Sequence, residues 1–141
     1  MSRIPILMYH AIDANKVGAH PYNISVFQFN EQLEYLHSNS FETILIEEYL
    51  QEIENGVKGN QKSRIIITFD DAQLSNYSQA FPLLKRYGFR AHFFIPTLFI
   101  AKQQDLLDRE HIIEMDRGGM SIQSHSHSHT FLNELNSDQI Y

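Results

Sequence analysis

The sequence predicts an α/β fold with a parallel sheet or barrel and helices outside it. Two observations carry that reading. Short apolar runs rich in Ile, Val, Phe and Thr alternate with stretches of helical spacing, and "RIIIT" at 64–68 holds apolar residues on consecutive positions, as a strand covered on both faces does.

The first run, "IPILMYH" (4–10), opens the sheet and leads into a helix over about 27–38, for which Ser25 and Gln28 offer a capping box. "FETILI" (41–46) gives the second strand and 47–55 the second helix, entered without a proline or glycine break. Gly56 and Gly59 mark a loop before the third strand, "RIIITFDD" (64–71). A helical stretch over 75–87 follows, with Pro82 inside it as a kink or a fresh start and Gly88 placed to end it. "AHFFIPT" (91–97), a helix over 105–117 and "MSIQSHS" (120–126) complete the alternation. "LNSDQIY" then reads as a helix N-terminus, with Asn136 or Ser137 as cap and Asp138 in the first turn. Five strands fall short of the roughly eight that close a parallel barrel, so residues 1–141 are expected to form one domain, incomplete at its C-terminal end. An incomplete sheet leaves an open edge and uncovered apolar surface, and self-association is expected from it.

Composition narrows the function. With 43% hydrophobic residues, ten Phe and seven Tyr, the chain can bury one core. Eleven Lys and Arg against seventeen Asp and Glu give a net charge of −6 with no basic run, which argues against nucleic acid as a partner. The opening "MSRIPILMYH" is too short in apolar residues for a signal-peptide core or a membrane span, so the chain as it stands reads as cytoplasmic. It has no Cys, so a metal site here has to be built from His and carboxylate.

Two motifs carry chemistry. Asp70 and Asp71 follow directly on the most apolar strand, and the C-terminal ends of parallel strands are where ligands and catalytic groups collect. Two adjacent acids repel if both are buried; a divalent cation removes that conflict by binding one and leaving the other as a base. Taken alone, the pair suits a helix N-cap equally well. The second motif, "SHSHSHTFL" (124–132), sets His125, His127 and His129 on alternate positions after the fifth run, at the same end of the sheet. Imidazoles with a carboxylate make a divalent-metal site, with solvated loop histidines as the bland alternative, and spacing by itself does not say which of the three bind. Tyr9 and His10 end the first strand, where they either line the same pocket or pack as a core pair; His92, inside an aromatic strand, reads as structural.

Together, "TFDD" (68–71) and "HSHSH" (125–129) resemble the first two motifs of the polysaccharide deacetylase (NodB-homology) family, the second being His-Ser/Thr-x-x-His. "PILMYHAI" (5–12), "FNEQLEYLHSNSFETILIEEYL" (29–50) and "FPLLKRYGFRAHFFIP" (81–96) are similar to that family's opening strand, its first helix with the next strand, and the stretch after the Asp motif. The resemblance implies a distorted (β/α) barrel and a metal-dependent hydrolase, a carbohydrate esterase that removes N- or O-acetyl groups from a polysaccharide. It implies Asp70 as catalytic base, and Asp71, His125 and His129 as ligands of one divalent ion, zinc foremost, with cobalt or nickel as alternatives. His127 falls on a free position, and Tyr9 and His10 are candidates to contact the acetylated carbohydrate. Members of the family often act at the cell surface.

Two departures from the family pattern follow. The family pattern continues with later motifs that supply an arginine for the base, an apolar acetyl pocket and a histidine acid, for which residues 1–141 leave no room, so the chain is also expected to be compatible with a metal- or glycan-binding piece that lacks turnover. Ala72 stands where the family usually has Gly, a steric cost if the backbone there takes positive φ. A magnesium-binding receiver-like signalling domain is the remaining alternative, and the His cluster and late Asp pair argue against it.

Overall fold

A computed structural model describes residues 4–13, 21–56, 63–100 and 105–140 of the chain. Five strands, β1 (Ile6–Tyr9), β2 (Glu42–Thr43), β3 (Arg64–Phe69), β4 (His92–Ile95) and β5 (Ser121–Ser124), form one sheet in which every ladder is parallel. The order is β1-β3-β4-β5, with β2 also paired to β3. Consecutive residues of a strand turn their backbone groups to opposite edges. Ile66 N donates to Pro5 O while Ile44 N donates to Ile65 O, so β1 takes one edge of β3 and β2 takes the start of the other. β4 takes the end of that second edge, through Thr68↔His92 and Phe69↔Phe93.

The helices are α1 (Val26–Ser38), α2 (Ile46–Glu54), α3 (Phe81–Tyr87), α4 (Arg109–Arg117) and α5 (Ser137–Ile140). The Ser25–Gln28 capping box forms, and Phe29, Leu33 and Leu36, at helical spacing, bury one stripe of α1. Phe29 meets Tyr9 and Phe69 edge-on at 5.2 and 5.7 Å, and Phe69 stacks on Phe93 at 4.7 Å. Leu7, Tyr9, Ile65, Ile67, Phe69, Phe93 and Ile95 thus belong to the face that α1 covers, packed with buried Leu84 of α3 and Met115 of α4. By alternation Ile6, Met8, Ile66, Thr68, His92, Ser121 and Gln123 fall on the opposite face. Glu47, at the start of α2, reaches that face: its Oε1 accepts from Ser121 Oγ at 3.1 Å and Gln123 Nε2 at 2.6 Å.

The elements follow the expected order, with shifts that have local causes. β2 is two residues long because Ile46 N, instead of continuing a ladder, donates to His92 Nε2 at 2.9 Å and starts α2. The stretch before α3 widens to a π-turn at Asn76–Ala80, closed by Phe81 N donating to Asn76 O, directly before Pro82, whose ring cannot accept a regular preceding turn. Pro82 therefore sits in the first turn of a new helix, which ends at Gly88 with φ 70°. α4 begins at Arg109 rather than 105, because Asp105 O and Leu107 N are engaged with Leu74 N and Ala72 O, both at 2.8 Å. Gly56 follows α2 with φ 63°, and Gly59 lies outside the described residues.

Candidate metal and catalytic centre

The turn after β3 is fixed before any ligand is considered. Asp70 N donates to Tyr9 O at 3.0 Å, continuing the β1–β3 ladder one step past the strand. The backbone then turns left-handed through Asp71 (φ 69°) and Ala72 (φ 53°). Positive φ at two successive non-glycine residues is uncommon and strained, and it persists only where surroundings impose it. Here the Ala72 methyl is buried and Ala72 O accepts from Leu107 N. Further anchors come from just downstream: Ser75 Oγ accepts from Ile12 N at 3.1 Å, and buried Asn76, with its amide oriented by its neighbours, donates to His10 O and Gln73 O, both at 3.0 Å.

The histidine loop is anchored in the same manner on the end of β4. His125 N donates to Ile95 O, Thr97 N to Ser126 O and Leu98 N to His127 O. Ser126 and His129 have φ of 64° and 58°, and the Ser126 hydroxyl accepts from His129 N at 3.0 Å, which curls the loop so that both flanking histidines face inward. His125 and His129 bring their ring centroids to 4.9 Å. His127, between them, is turned to Thr97, its Nδ1 at 2.8 Å from the Thr97 hydroxyl.

These two loops meet at Asp71. Its Oδ1 lies 3.0 Å from His129 Nε2 and 3.7 Å from His125 Nε2, and its Oδ2 lies 3.6 Å from His10 Nε2. One donor atom from each of Asp71, His125 and His129 falls within 4.8 Å of the others. Asp71 Oδ1 is buried without a hydrogen-bond partner. A buried carboxylate oxygen costs roughly 1–3 kcal/mol or more when left unsatisfied, and a cation between it and the two imidazole nitrogens satisfies all three donors. Two nitrogens and one oxygen, with room for further ligands, suit a borderline divalent ion. Beside this set, burial pushes the Asp70 carboxyl above the usual carboxylate range and the Asp71 charge adds to the shift, against the opposing influence of His125, His10 and His129.

The remaining candidates separate. His10 joins the site, whereas Tyr9 turns into the core at 5% exposure, its hydroxyl donating to Gln32 Oε1 at 2.6 Å and held protonated by a pKa that burial pushes up to about 12. Tyr9 is thus a packed core residue and not part of the cleft lining. Sequence reasoning passed over Ser75, Asn76 and Thr97. Ser and Asn just after an Asp pair were a usable signal for a side-chain-braced turn; Thr97 carried none.

Fold and site together define a parallel α/β protein with an Asp-His-His donor set and a second carboxylate at its C-terminal strand ends. The chain belongs to the polysaccharide deacetylase family, whose model matches residues 57–141. Bacillus subtilis (strain 168) YxkH, which its name places among the polysaccharide deacetylases, is 33% identical over 138 residues, 98% of this chain and 47% of its own. Poly-beta-1,6-N-acetyl-D-glucosamine N-deacetylase of Staphylococcus aureus (strain MRSA252) is 27% identical over 124 residues, 84% of this chain and 42% of the relative. The chain spans about half the length of the curated relatives it matches. Among solved structures, Streptococcus pyogenes deacetylase PplD in complex with acetate superposes with a TM-score of 0.84 at 26% identity, over 97% of this chain and 64% of that one. The fold is accordingly that of the NodB-type deacetylases, of whose barrel these parallel strands form a part.

Proposed function

We propose that Asp71, His125 and His129 hold one divalent ion, zinc foremost, and that the centre hydrolyses acetyl groups on an N-acetylglucosamine polymer with Asp70 as base. The observation that carries this is the buried Asp71 Oδ1, without a hydrogen-bond partner and facing two imidazole nitrogens, with a second carboxylate alongside. A cation bound there supplies Lewis acidity for the acetyl carbonyl and the attacking water. Asp70 stays off the ligand set and takes the water's proton; a carboxyl held above its ordinary range by burial is a stronger base for that step than an exposed aspartate. As the C–N bond breaks, the amine nitrogen takes up a proton equivalent to the one Asp70 removed from water. Water is consumed, and acetate and a free amine are released. The polymer assignment draws on the name of the Staphylococcus aureus relatives.

A second reading is favoured by the share of its relatives that the chain spans: a metal- or glycan-binding part of such an enzyme, for which turnover needs further chain. Acetate release from zinc-supplemented protein on β-1,6-linked N-acetylglucosamine oligomers separates them. The first reading expects release that falls at least about 100-fold in Asp70→Asn, within the range of general-base contributions. Bound zinc with no acetate supports the second reading. Release unchanged in Asp70→Asn contradicts the assigned base.

A further inference from the structure

We infer that Asn76 is a positioning residue for the metal centre, its buried side-chain amide joining the loop that carries His10 to the turn that carries Asp70 and Asp71. The inference rests on the metal-centre reading above and adds to it a residue outside the ligand set. Asn76 is 1% exposed. Its side-chain nitrogen donates to His10 O and to Gln73 O, both at 3.0 Å, and its backbone N–H donates to Gln73 O at 2.9 Å. Its own carbonyl accepts from Phe81 N in the π-turn, a widened geometry common at functional sites. Backbone and side chain are thus pinned together, and the amide stays fixed on both carbonyls.

The Asp71–Ala72 turn is held from two directions. Residues 105–107 hold it through Ala72 O, which accepts from Leu107 N, and through Leu74 N, which donates to Asp105 O. The end of β1 is stitched to it by Asp70 N on Tyr9 O, Ile12 N on Ser75 Oγ and the Asn76 amide on His10 O. The Asn76 link differs from the other two because the same amide also holds Gln73 O, the carbonyl of the residue that follows Ala72. Left-handed backbone at Asp71 and Ala72 persists only under such constraint. Closing the turn at 73–76 needs Gln73 O alone; the bond to His10 O sets one loop against the other. Across that junction His10 Nε2 lies 3.6 Å from Asp71 Oδ2, while Asp71 Oδ1 faces His125 and His129. Ligand atoms need placement within about 0.5 Å, so a turn that relaxes further than that takes Asp71 out of register with the histidines.

The test compares Asn76→Ala and Asn76→Ser with Leu84→Ala, which opens the buried core at α3 and leaves the hydrogen bonds of both loops in place. Serine, too short to span both carbonyls, serves where the alanine variant does not fold. Cobalt affinity is measured by visible absorption where circular dichroism shows each form native, and amide hydrogen exchange is measured without metal. In the Asn76 variants cobalt affinity is expected to fall about tenfold or more, the range for residues that orient ligands. The Asp70 and Ile12 amides are expected to exchange about tenfold faster relative to Ser121 N, which donates to Ala91 O at the start of β5, the scale of one hydrogen bond. Leu84→Ala is expected to lower Tm and to change neither quantity. Cobalt affinity unchanged in the Asn76 variants, or lost equally in Leu84→Ala, overturns the positioning role. Wild-type protein that binds no cobalt counts against the metal centre instead, and the exchange ratio then decides: raised at Asp70 and Ile12 it upholds Asn76 as the junction of the two loops, and unchanged it overturns that role.

Discussion

Asp71 meets two demands at once: a left-handed backbone at φ 69° and a carboxylate set against the Nε2 atoms of His10, His125 and His129. Charge at this position is expected to matter more than size. Asp71→Asn removes the anionic member of the proposed ligand set and should weaken divalent-ion affinity by at least about 100-fold, measured by competition with a chelator. Its neighbour gives a pH test in metal-free protein. Folding raises the Asp70 pKa, so the folded chain holds that proton more tightly than the unfolded one. The stability linked to Asp70 is therefore complete below the unfolded carboxylate value of about 3.9 and is lost as pH rises through the folded value. Asp70→Asn is expected to raise Tm at pH 7 and to change it little at pH 3.5, followed by circular dichroism. Ala72 poses the opposite case. Its left-handed φ costs about 1–2 kcal/mol relative to Gly, while its buried methyl contributes about 0.8 kcal/mol. The two largely offset, so Ala72→Gly should shift stability by no more than about 1 kcal/mol in chemical denaturation. The Asp pair and the outer histidines were legible because they sit on strand ends that periodicity locates. The stack of Tyr22 on His10 was not, because it depends on a parallel bridge between Ile12 and Ile24.

Among the elements, α2 depends on a residue far from the centre. His92 is 1% exposed at the start of β4; its Nε2 accepts from Ile46 N, and its Nδ1 is buried without a hydrogen-bond partner. Burial lowers the His92 pKa, with Glu47 and Glu48 working against that shift. Neutral His92 is thus the form the fold prefers: its contribution is present above about 6.5 and is lost as pH falls through the lowered value. Tm is expected to drop as pH falls from 7.5 to 5, and His92→Gln, which can still accept from Ile46 N but does not titrate, is expected to flatten that drop. The sequence placed His92 in a structural role from its aromatic strand alone. It gave no notice that β2 would stop at Thr43, since that depends on a hydrogen bond spanning 46 positions.

For the whole molecule, the sheet has ends. Among the described residues β1 and β5 each pair on one side only, and Ile6 and Met8 of β1 are 57% and 42% exposed. No helix of the described residues is long and apolar enough to cross a membrane. An unpaired strand with exposed apolar side chains is a template for association, so sedimentation of this chain should show mass rising with concentration. Ile6→Lys with Met8→Lys is expected to shift it toward monomer. Element order was readable because alternating strand and helix periods persist through the chain. Which residues face α1 and which face the other side was not, since "RIIIT" is apolar on both faces.

Asp71, His125 and His129 are proposed to bind one metal ion together. Cobalt titration followed by visible absorption tests it directly. A single equivalent of cobalt is expected, with tetrahedral or five-coordinate bands that are lost in His125→Ala and in His129→Ala and retained in His127→Ala. Identical spectra in all three variants, or a signal that depends on His127 instead, would contradict it.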